Sequence, residues 1–187
     1  LVVVEPLRRE FEERLVETMA RAKVGNPLAE DTAVGPMARA DLRDALHRQV
    51  EGSVRLGAKV LLGGEVPAGR GFFYPPTVLA GVRPGMPAHD EELFGPVAAV
   101  VSARDEEDAI RIANDTPFGL GAAVFTRDVD RGERVARRLE VGSAFVNAFV
   151  RSDPRLPFGG IKDSGYGREL GRHGILEWVN AKTVFVA

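Results

Sequence analysis

Short apolar runs alternate with amphipathic helical repeats along this chain of 187 residues, and this alternation limits the folds open to it. The run Leu1–Val4 predicts a strand. Leu7, Phe11, Leu15 and Met19 then predict a helix with one apolar face, because residues four apart share a side of a helix. Further helices are predicted over residues 42–54, from 105, over 129–139 and within 165–179, and further strands at 59–62, 74–79, 97–101, 121–125, 143–146 and 183–186. Strands that alternate with helices predict an α/β fold with a mainly parallel sheet, flanking helices and a terminal strand.

The composition excludes several classes of protein. With 25 basic and 27 acidic residues the net charge is -2, which gives no electrostatic reason to expect nucleic acid or an anionic membrane as a partner. No apolar stretch approaches the roughly 20 residues of a membrane span. The chain has no cysteine, and its three histidines are scattered without ligand spacing, so we expect neither a disulfide nor a metal site. No repeat or change of composition divides the chain, which favours one domain.

The segment Glu91–Pro96, with the sequence EELFGP, is the first motif that can carry chemistry. Gly-Pro after a bulky ring favours a turn, and in the simplest interpretation the two carboxylates only solvate that turn. Alternatively, a carboxylate beside a fixed aromatic ring can accept two hydrogen bonds from a ribose diol while the ring supports a flat heterocycle. The residues of this segment leave both interpretations open.

The second motif is the segment Arg151–Lys162, with the sequence RSDPRLPFGGIK. A serine hydroxyl between cationic side chains suits a bound carboxylate, and an ordinary surface loop with two arginines is an equal alternative. Phe158 precedes a Gly-Gly turn, where an aromatic ring can pack beneath the turn or line a cavity. Neither glycine pair in the chain has the spacing of a phosphate-binding loop.

Both motifs resemble segments of the aldehyde dehydrogenase superfamily, and other segments match that family in the same order. These segments are Val24–Pro27, Val34–Pro36, Asn114–Gly121, Gly142–Asn147 and Ser164–Glu169, so the resemblance covers essentially the whole chain. It implies NAD or NADP as cofactor, with Glu92 binding the nicotinamide ribose hydroxyls and Phe94 contacting the nicotinamide. The loop around Ser152 is most similar to the succinate-semialdehyde dehydrogenase branch, in which that serine helps to hold the substrate carboxylate. Phe158 is then expected to line the aldehyde tunnel.

The resemblance also implies that part of the enzyme lies outside this sequence. The family oxidises an aldehyde through a cysteine thiohemiacetal and thioester, and this chain has no cysteine. The sequence opens inside a predicted strand without an initiator methionine, so we expect it to continue a longer chain. The nucleophile, the general-base glutamate and the dinucleotide-binding domain are then expected upstream, and no catalytic residue is assigned here. We expect the chain alone to be inactive.

The remaining expectations concern domains and assembly. By the resemblance, residues 1–180 form the C-terminal part of the catalytic domain, and residues 181–187 form an oligomerisation strand of a cytoplasmic homo-oligomer. Two alternatives stay open: a non-catalytic binding or assembly module derived from the family, and an aldehyde dehydrogenase for a different aldehyde. An upstream segment that carries a cysteine and a dinucleotide domain would favour the enzyme over the module.

Overall fold

The computed structural model describes all 187 residues, and their contacts group them into two compact units, Leu1–Ala109 and Ile110–Ala187. The boundary falls inside a helix, Glu106–Asn114, where no linker composition marks it in the sequence. Each unit combines helices with parallel and antiparallel strands, so the α/β fold is confirmed. The assignment of residues 1–180 to a single catalytic domain stays a prediction.

The first unit contains eight helices and strands, most of them at the predicted places. In chain order they are β1 (Val2–Val4), α1 (Glu5–Ala20), α2 (Ala40–Arg55), β2 (Lys59–Leu62), β3 (Thr77–Ala80), α3 (Pro87–Asp90), β4 (Val97–Ala99) and β5 (Val101–Ala103). Strand β1 pairs in parallel with β5, whereas β3 lies between antiparallel β2 and parallel β4. Two clusters of buried side chains stabilise this unit, one beneath α1 and the other beneath α2.

The two long helices follow the apolar repeats of the sequence. Helix α1 begins directly after β1 with Pro6 in its first turn, where the missing N–H has no helical partner to lose. Its Phe11, Leu15 and Met19 pack on the buried cluster that contains Val78. Helix α2 ends before a glycine with a φ of 107°, the left-handed conformation that stops a helix at low cost.

The prediction of one continuous strand over residues 97–101 is wrong. The structure divides this run into β4 and β5 at Val100, because the two halves pair with different partners, β3 and β1. The backbone N–H of Val100 donates to Leu79 O at 2.8 Å, and its carbonyl accepts from the N–H of Val82 at 3.2 Å. Such a change of partner depends on contacts distant in sequence, which a local apolar run cannot show.

The second unit consists of shorter helices and strands. They are α4 (Glu106–Asn114), which crosses the boundary between the units, β6 (Phe118–Gly119), β7 (Gly121–Val124), α5 (Val129–Ala136), β8 (Ser143–Val146), β9 (Ile161–Lys162) and α6 (Gly171–Leu176). Strand β7 pairs in parallel with β8, and β6 pairs antiparallel with β9. Helix α5 connects the parallel pair and is capped by Asp128, whose carboxylate accepts a hydrogen bond from the Arg131 N–H at 2.9 Å.

The last eight residues, 180–187, have no regular secondary structure in the single chain. The predicted strand at 183–186 was expected to pair with another subunit, and that pairing stays a prediction. No helix of the structure has the length and apolar character that crossing a bilayer requires.

Candidate functional site

The Glu91–Pro96 segment forms a tight turn between α3 and β4 in the first unit. The N–H of Gly95 donates to Leu93 O at 3.0 Å, and the N–H of Val97 donates to Gly95 O at 2.8 Å. The carbonyl of Pro96 accepts from the Thr77 N–H at 2.9 Å, which attaches the end of the turn to the start of β3. At the start of the turn the N–H of Glu91 donates to Pro87 O at 3.0 Å, so the backbone is fixed at both ends.

Helix α2 supports this turn from behind. A side chain at Gly95 would come within 2.4 Å of the Leu46 Cδ2 atom, so the turn approaches the helix as closely as a glycine permits. Gln49 lies one helical turn further along, and its Nε2 donates to the Glu91 carboxylate at 2.8 Å and to the Glu92 carbonyl at 3.2 Å. Gln49 is not predictable from the sequence as a support of this turn, because nothing in the local pattern of α2 indicates a contact with a residue 43 positions away.

The two residues singled out in this turn point to solvent. The Phe94 ring is 73% exposed, and the Glu92 carboxylate is exposed and makes no hydrogen bond or ion pair within the chain. In Glu91, by contrast, the carboxylate is already bonded to Gln49. A free carboxylate two residues from an exposed aromatic ring, on a rigid turn, fits a ligand that combines a diol with a flat heterocycle. The residues present therefore fit the nicotinamide ribose of a dinucleotide.

Ser152 lies in the second unit, on a loop that is held by hydrogen bonds within the loop and to the start of α6. The N–H of Leu156 donates to Asp153 O at 2.9 Å, and Pro154 O accepts from the Gly171 N–H at 3.1 Å. Ser152 itself is exposed, and its hydroxyl has no partner in the chain. Arg155 donates to both oxygens of the Asp153 carboxylate, and this pairing holds the pKa of Asp153 well below its usual range.

Phe158 stands at the other end of this loop and is half-buried. Its N–H donates to Glu169 O at 2.8 Å and its carbonyl accepts from the Glu169 N–H at 2.7 Å, so the two segments form a short antiparallel bridge. The ring lines an open depression of about 430 Å³, whose rim includes Tyr166 and Trp178. Neither rim residue was assigned a role from the sequence; Tyr166 lies within the matched segment Ser164–Glu169, and Trp178 lies in no motif. Both are exposed, Trp178 to 90% and Tyr166 fully.

The candidate residues thus fall into two groups. Glu92 and Phe94 share one turn of the first unit, and Ser152 and Phe158 share one loop of the second. No group of three or more His, Cys, Asp or Glu side chains is arranged to hold a metal ion. The roles assigned to the four residues from sequence stay predictions.

Known proteins match this chain over nearly its whole length. The sequence model of the aldehyde dehydrogenase family matches residues 1–184. Among curated proteins, the succinate semialdehyde dehydrogenase Sad of Escherichia coli, whose name specifies NAD(P)+, is 50% identical over 184 residues. That match covers 98% of this chain and 40% of the relative. The chain spans about 40% of the length of curated relatives that it matches.

Solved structures match over nearly the whole chain as well. The succinic semialdehyde dehydrogenase of Streptococcus pyogenes, solved with NADP+ as the cofactor, gives a TM-score of 0.95 at 35% identity, covering 99% of this chain and 41% of that one. The betaine aldehyde dehydrogenase of Staphylococcus aureus, solved with NAD+, gives a TM-score of 0.90 at 35% identity, covering 95% and 36% respectively. Proteins named for two different aldehydes thus share the fold of this chain.

Proposed function

Since the chain belongs to the aldehyde dehydrogenase family, we propose that it is the C-terminal part of an NAD(P)-dependent enzyme that oxidises an aldehyde to the carboxylic acid. One observation carries the proposal: the unpaired Glu92 carboxylate stands beside the exposed Phe94 ring on a turn fixed at both ends. Relatives named as NAD(P)- or NADP-dependent dehydrogenases support it.

In this proposal the first unit binds the nicotinamide end of the cofactor. The Glu92 carboxylate accepts hydrogen bonds from both hydroxyls of the ribose, and the Phe94 ring contacts the nicotinamide. Gln49 holds the backbone of the turn and leaves the Glu92 carboxylate free for this task. When bound, the dinucleotide supplies the hydride acceptor.

The second unit is proposed to hold the aldehyde, with succinate semialdehyde as the substrate. The Ser152 hydroxyl donates to the distal carboxylate, and the neighbouring Arg151, which makes no hydrogen bond or salt bridge of its own, supplies positive charge. Phe158 lines the apolar part of the path. Several curated relatives are named succinate-semialdehyde dehydrogenases, which supports this choice over another aldehyde.

The nucleophile is proposed to lie in the remainder of the protein. A cysteine thiolate that attacks the aldehyde and a glutamate that activates the hydrolytic water are needed, and these 187 residues contain no cysteine. We therefore expect the chain alone to oxidise no aldehyde, although it carries residues for both ligands.

The experiment is steady-state kinetics of the full-length protein with succinate semialdehyde and with an uncharged aldehyde of similar length. Loss of a hydroxyl that donates to a carboxylate is expected to raise KM for succinate semialdehyde about tenfold in Ser152→Ala, with a much smaller change for the uncharged aldehyde. Equal changes for both aldehydes would reject the carboxylate-binding role. A full-length protein without aldehyde oxidation would reject the enzyme itself.

A second function, as an assembly module, is favoured by one feature of the C-terminal segment. Val184, Phe185 and Val186 are each at least 75% exposed and have no regular secondary structure. Exposed apolar residues of this kind favour contact with another chain, and we propose a homo-oligomer that forms through them. Sedimentation of the full-length protein with and without residues 181–187 tests this, and an unchanged oligomeric state would contradict it.

A further inference from the structure

We propose that the ion pair between Asp153 and Arg155, here called the Asp153–Arg155 clasp, is a positioning device that fixes the backbone of the Ser152 loop for a carboxylated aldehyde. The inference rests on the role of Ser152 proposed above and extends it to two residues that themselves make no contact with substrate. Asp153 and Arg155 act through the loop backbone: by fixing it they place the Ser152 hydroxyl, and in this way they affect which aldehyde is preferred.

The geometry of the clasp is that of a closed ring. One Asp153 oxygen accepts from the Arg155 backbone N–H and from its Nε, both at 2.9 Å, while the other oxygen accepts from Nη2 at 2.6 Å. The intervening Pro154 has a restricted φ and its carbonyl bonds to the first residue of α6, Gly171. Three charge-assisted hydrogen bonds and a proline thus restrain the two residues that follow Ser152.

No apolar anchor replaces the clasp in this loop. Leu156 is 56% exposed, and the Ser152 side chain has no partner within the chain. An exposed loop without a buried side chain loses conformational entropy when it is ordered, and here the polar contacts of Asp153 and the backbone offset that loss. Without the clasp we expect the hydroxyl of Ser152 to sample orientations that do not meet a carboxylate.

The clasp also sets the charge next to Ser152. Residues 151–155 contain two arginines and one aspartate, a formal sum of +1. Arg155 is bound to both oxygens of Asp153, whereas Arg151 acts on Asp153 only through its charge and makes no salt bridge, so Arg151 is left as the cation available to a ligand. One available positive charge beside a hydroxyl matches a substrate with a single carboxylate.

Two single substitutions separate positioning from charge. Asp153→Ala raises the formal charge of the loop by one and Arg155→Ala lowers it by one, so a purely electrostatic role predicts opposite changes in KM for an anionic aldehyde. Positioning predicts the same change for both. In the full-length enzyme we expect each variant to raise KM for succinate semialdehyde about three- to tenfold, and KM for an uncharged aldehyde by less than about twofold.

The double variant and two further substitutions complete the test. Asp153→Ala with Arg155→Ala is expected to be no worse than either single variant, because both remove the same interaction. Glu133→Ala is the matched control: it removes the exposed ion pair between Glu133 on α5 and Arg137, the C-cap of that helix, and is expected to change neither KM. If an alanine variant does not fold, Asp153→Asn replaces it, since it retains an acceptor for the Arg155 N–H and removes the charge.

Four results would overturn the inference. Opposite changes in the two single variants would mean that only charge matters, and equal changes for both aldehydes would mean a general structural role. A selective effect of Ser152→Ala without any effect of the clasp variants would reject the clasp and leave the proposed function standing. An unselective Ser152→Ala would reject the carboxylate site itself and the clasp with it.

Discussion

The two units hold their candidate residues in different ways. In the first unit a core of fully buried side chains, among them Leu46, Tyr74 and Leu79, lies behind the turn that carries Glu92 and Phe94. In the second unit Ile110 is the one buried apolar side chain. The other buried residues there are all glycines, at positions 119, 132, 160 and 174. The first unit is therefore ordered by packed side chains and the second by closely approaching backbone.

The difference has consequences for substitution. Truncating a side chain in a packed core lowers the stability by an amount that depends on the cavity left behind. Adding a methyl group where two backbone segments touch is different, because no side chain can rotate away to make room for it. The clearest backbone contact lies under the second motif, where a Cβ atom at Gly142 would come within 1.7 Å of the Gly159 carbonyl oxygen. We therefore expect the second unit to be more sensitive to the smallest enlargements, and the first unit to truncations.

Gly142→Ala is expected to have the largest effect. Its methyl group overlaps backbone rather than a flexible side chain, so β8 must separate from the segment of Gly159, at a cost of about 4 kcal/mol or more in local stability. Amide hydrogen exchange of the second unit in the full-length protein measures this loss. Gly167→Ala is the matched control, since a Cβ atom there meets open space. Equal protection in the two variants would contradict the close backbone contact at Gly142 on which the account of the second unit rests.

Leu46→Ala tests the side-chain core of the first unit. Leu46 is 1% exposed and packs behind Gly95, so truncation is expected to cost about 3 kcal/mol and to loosen the turn that bears Glu92. Amide hydrogen exchange over α2 and residues 91–97 reports the loss. Leu28→Ala, at a leucine that is 90% exposed, should leave exchange unchanged, and similar effects of both substitutions would refute the account of this core.

Gln49→Ala sharpens the comparison at the level of function. The substitution removes the hydrogen bonds to the Glu91 carboxylate and the Glu92 carbonyl but leaves the core intact. Without these hydrogen bonds the turn is less well positioned, and the free energy of cofactor binding is expected to become less favourable by about 1 kcal/mol. This change raises the cofactor KM roughly fivefold, with little change in the aldehyde KM. Arg48→Ala, at the neighbouring exposed position of α2, serves as the control. A cofactor KM that stays at the wild-type value would remove Gln49 from the account.

Tyr74→Phe is expected to change the stability least, and to change how the stability depends on pH. Burial is the main cause that raises the pKa of Tyr74 from 10.0 to about 12, and the charge of Glu51 adds to it. The unfolded chain ionises first as pH rises, so the stabilisation from the buried neutral phenol is complete below pH 10 and is lost as pH approaches about 12. Tyr74→Phe should abolish this alkaline loss and, through the missing hydrogen bond to His47, cost about 1 kcal/mol at neutral pH.

Absorbance titration of phenolate distinguishes the two tyrosines of the chain. The component that disappears in Tyr74→Phe should titrate near pH 12, and Tyr166→Phe, at the fully exposed tyrosine of the second unit, should leave that component in place. A Tyr74 component that titrates at the ordinary value of 10.0 would show that the phenol is accessible to water and the core of the first unit is less closed.

The sequence predicts features that depend on interactions between residues close in the chain, and it does not predict those that depend on residues far apart in the chain. Leu7 to Met19 predicted α1 and Leu42 to Val54 predicted α2, because helical repeats are local and each repeat has one buried side. The break at Val100 escaped prediction, since it depends on which strands pair with either half of the run. The two-residue strand β9 was also missed. It contains Lys162 at a φ of 54°, a conformation that the residue type does not predict.

The same division applies to the candidate sites. Glu92, Phe94, Ser152 and Phe158 were assigned from contiguous motifs through the family resemblance, and their roles stay predictions; the structure shows that Glu92 and Ser152 are exposed and unpaired. Their supports were not identified. Gln49 reaches the turn from another helix, and the Asp153–Arg155 contact depends on a loop conformation that the letters of the segment do not specify.

The most direct test of the central claim is the cofactor KM of Glu92→Gln in the full-length enzyme. The amide keeps the size of the carboxylate but accepts fewer hydrogen bonds and carries no charge, so the account predicts a cofactor KM raised about tenfold, with the aldehyde KM little changed. Glu65→Gln makes the same charge change at another exposed glutamate of the first unit and should leave both constants unaltered. A Glu92→Gln enzyme with the cofactor dependence of the wild type would contradict the assignment of this turn to the nicotinamide ribose.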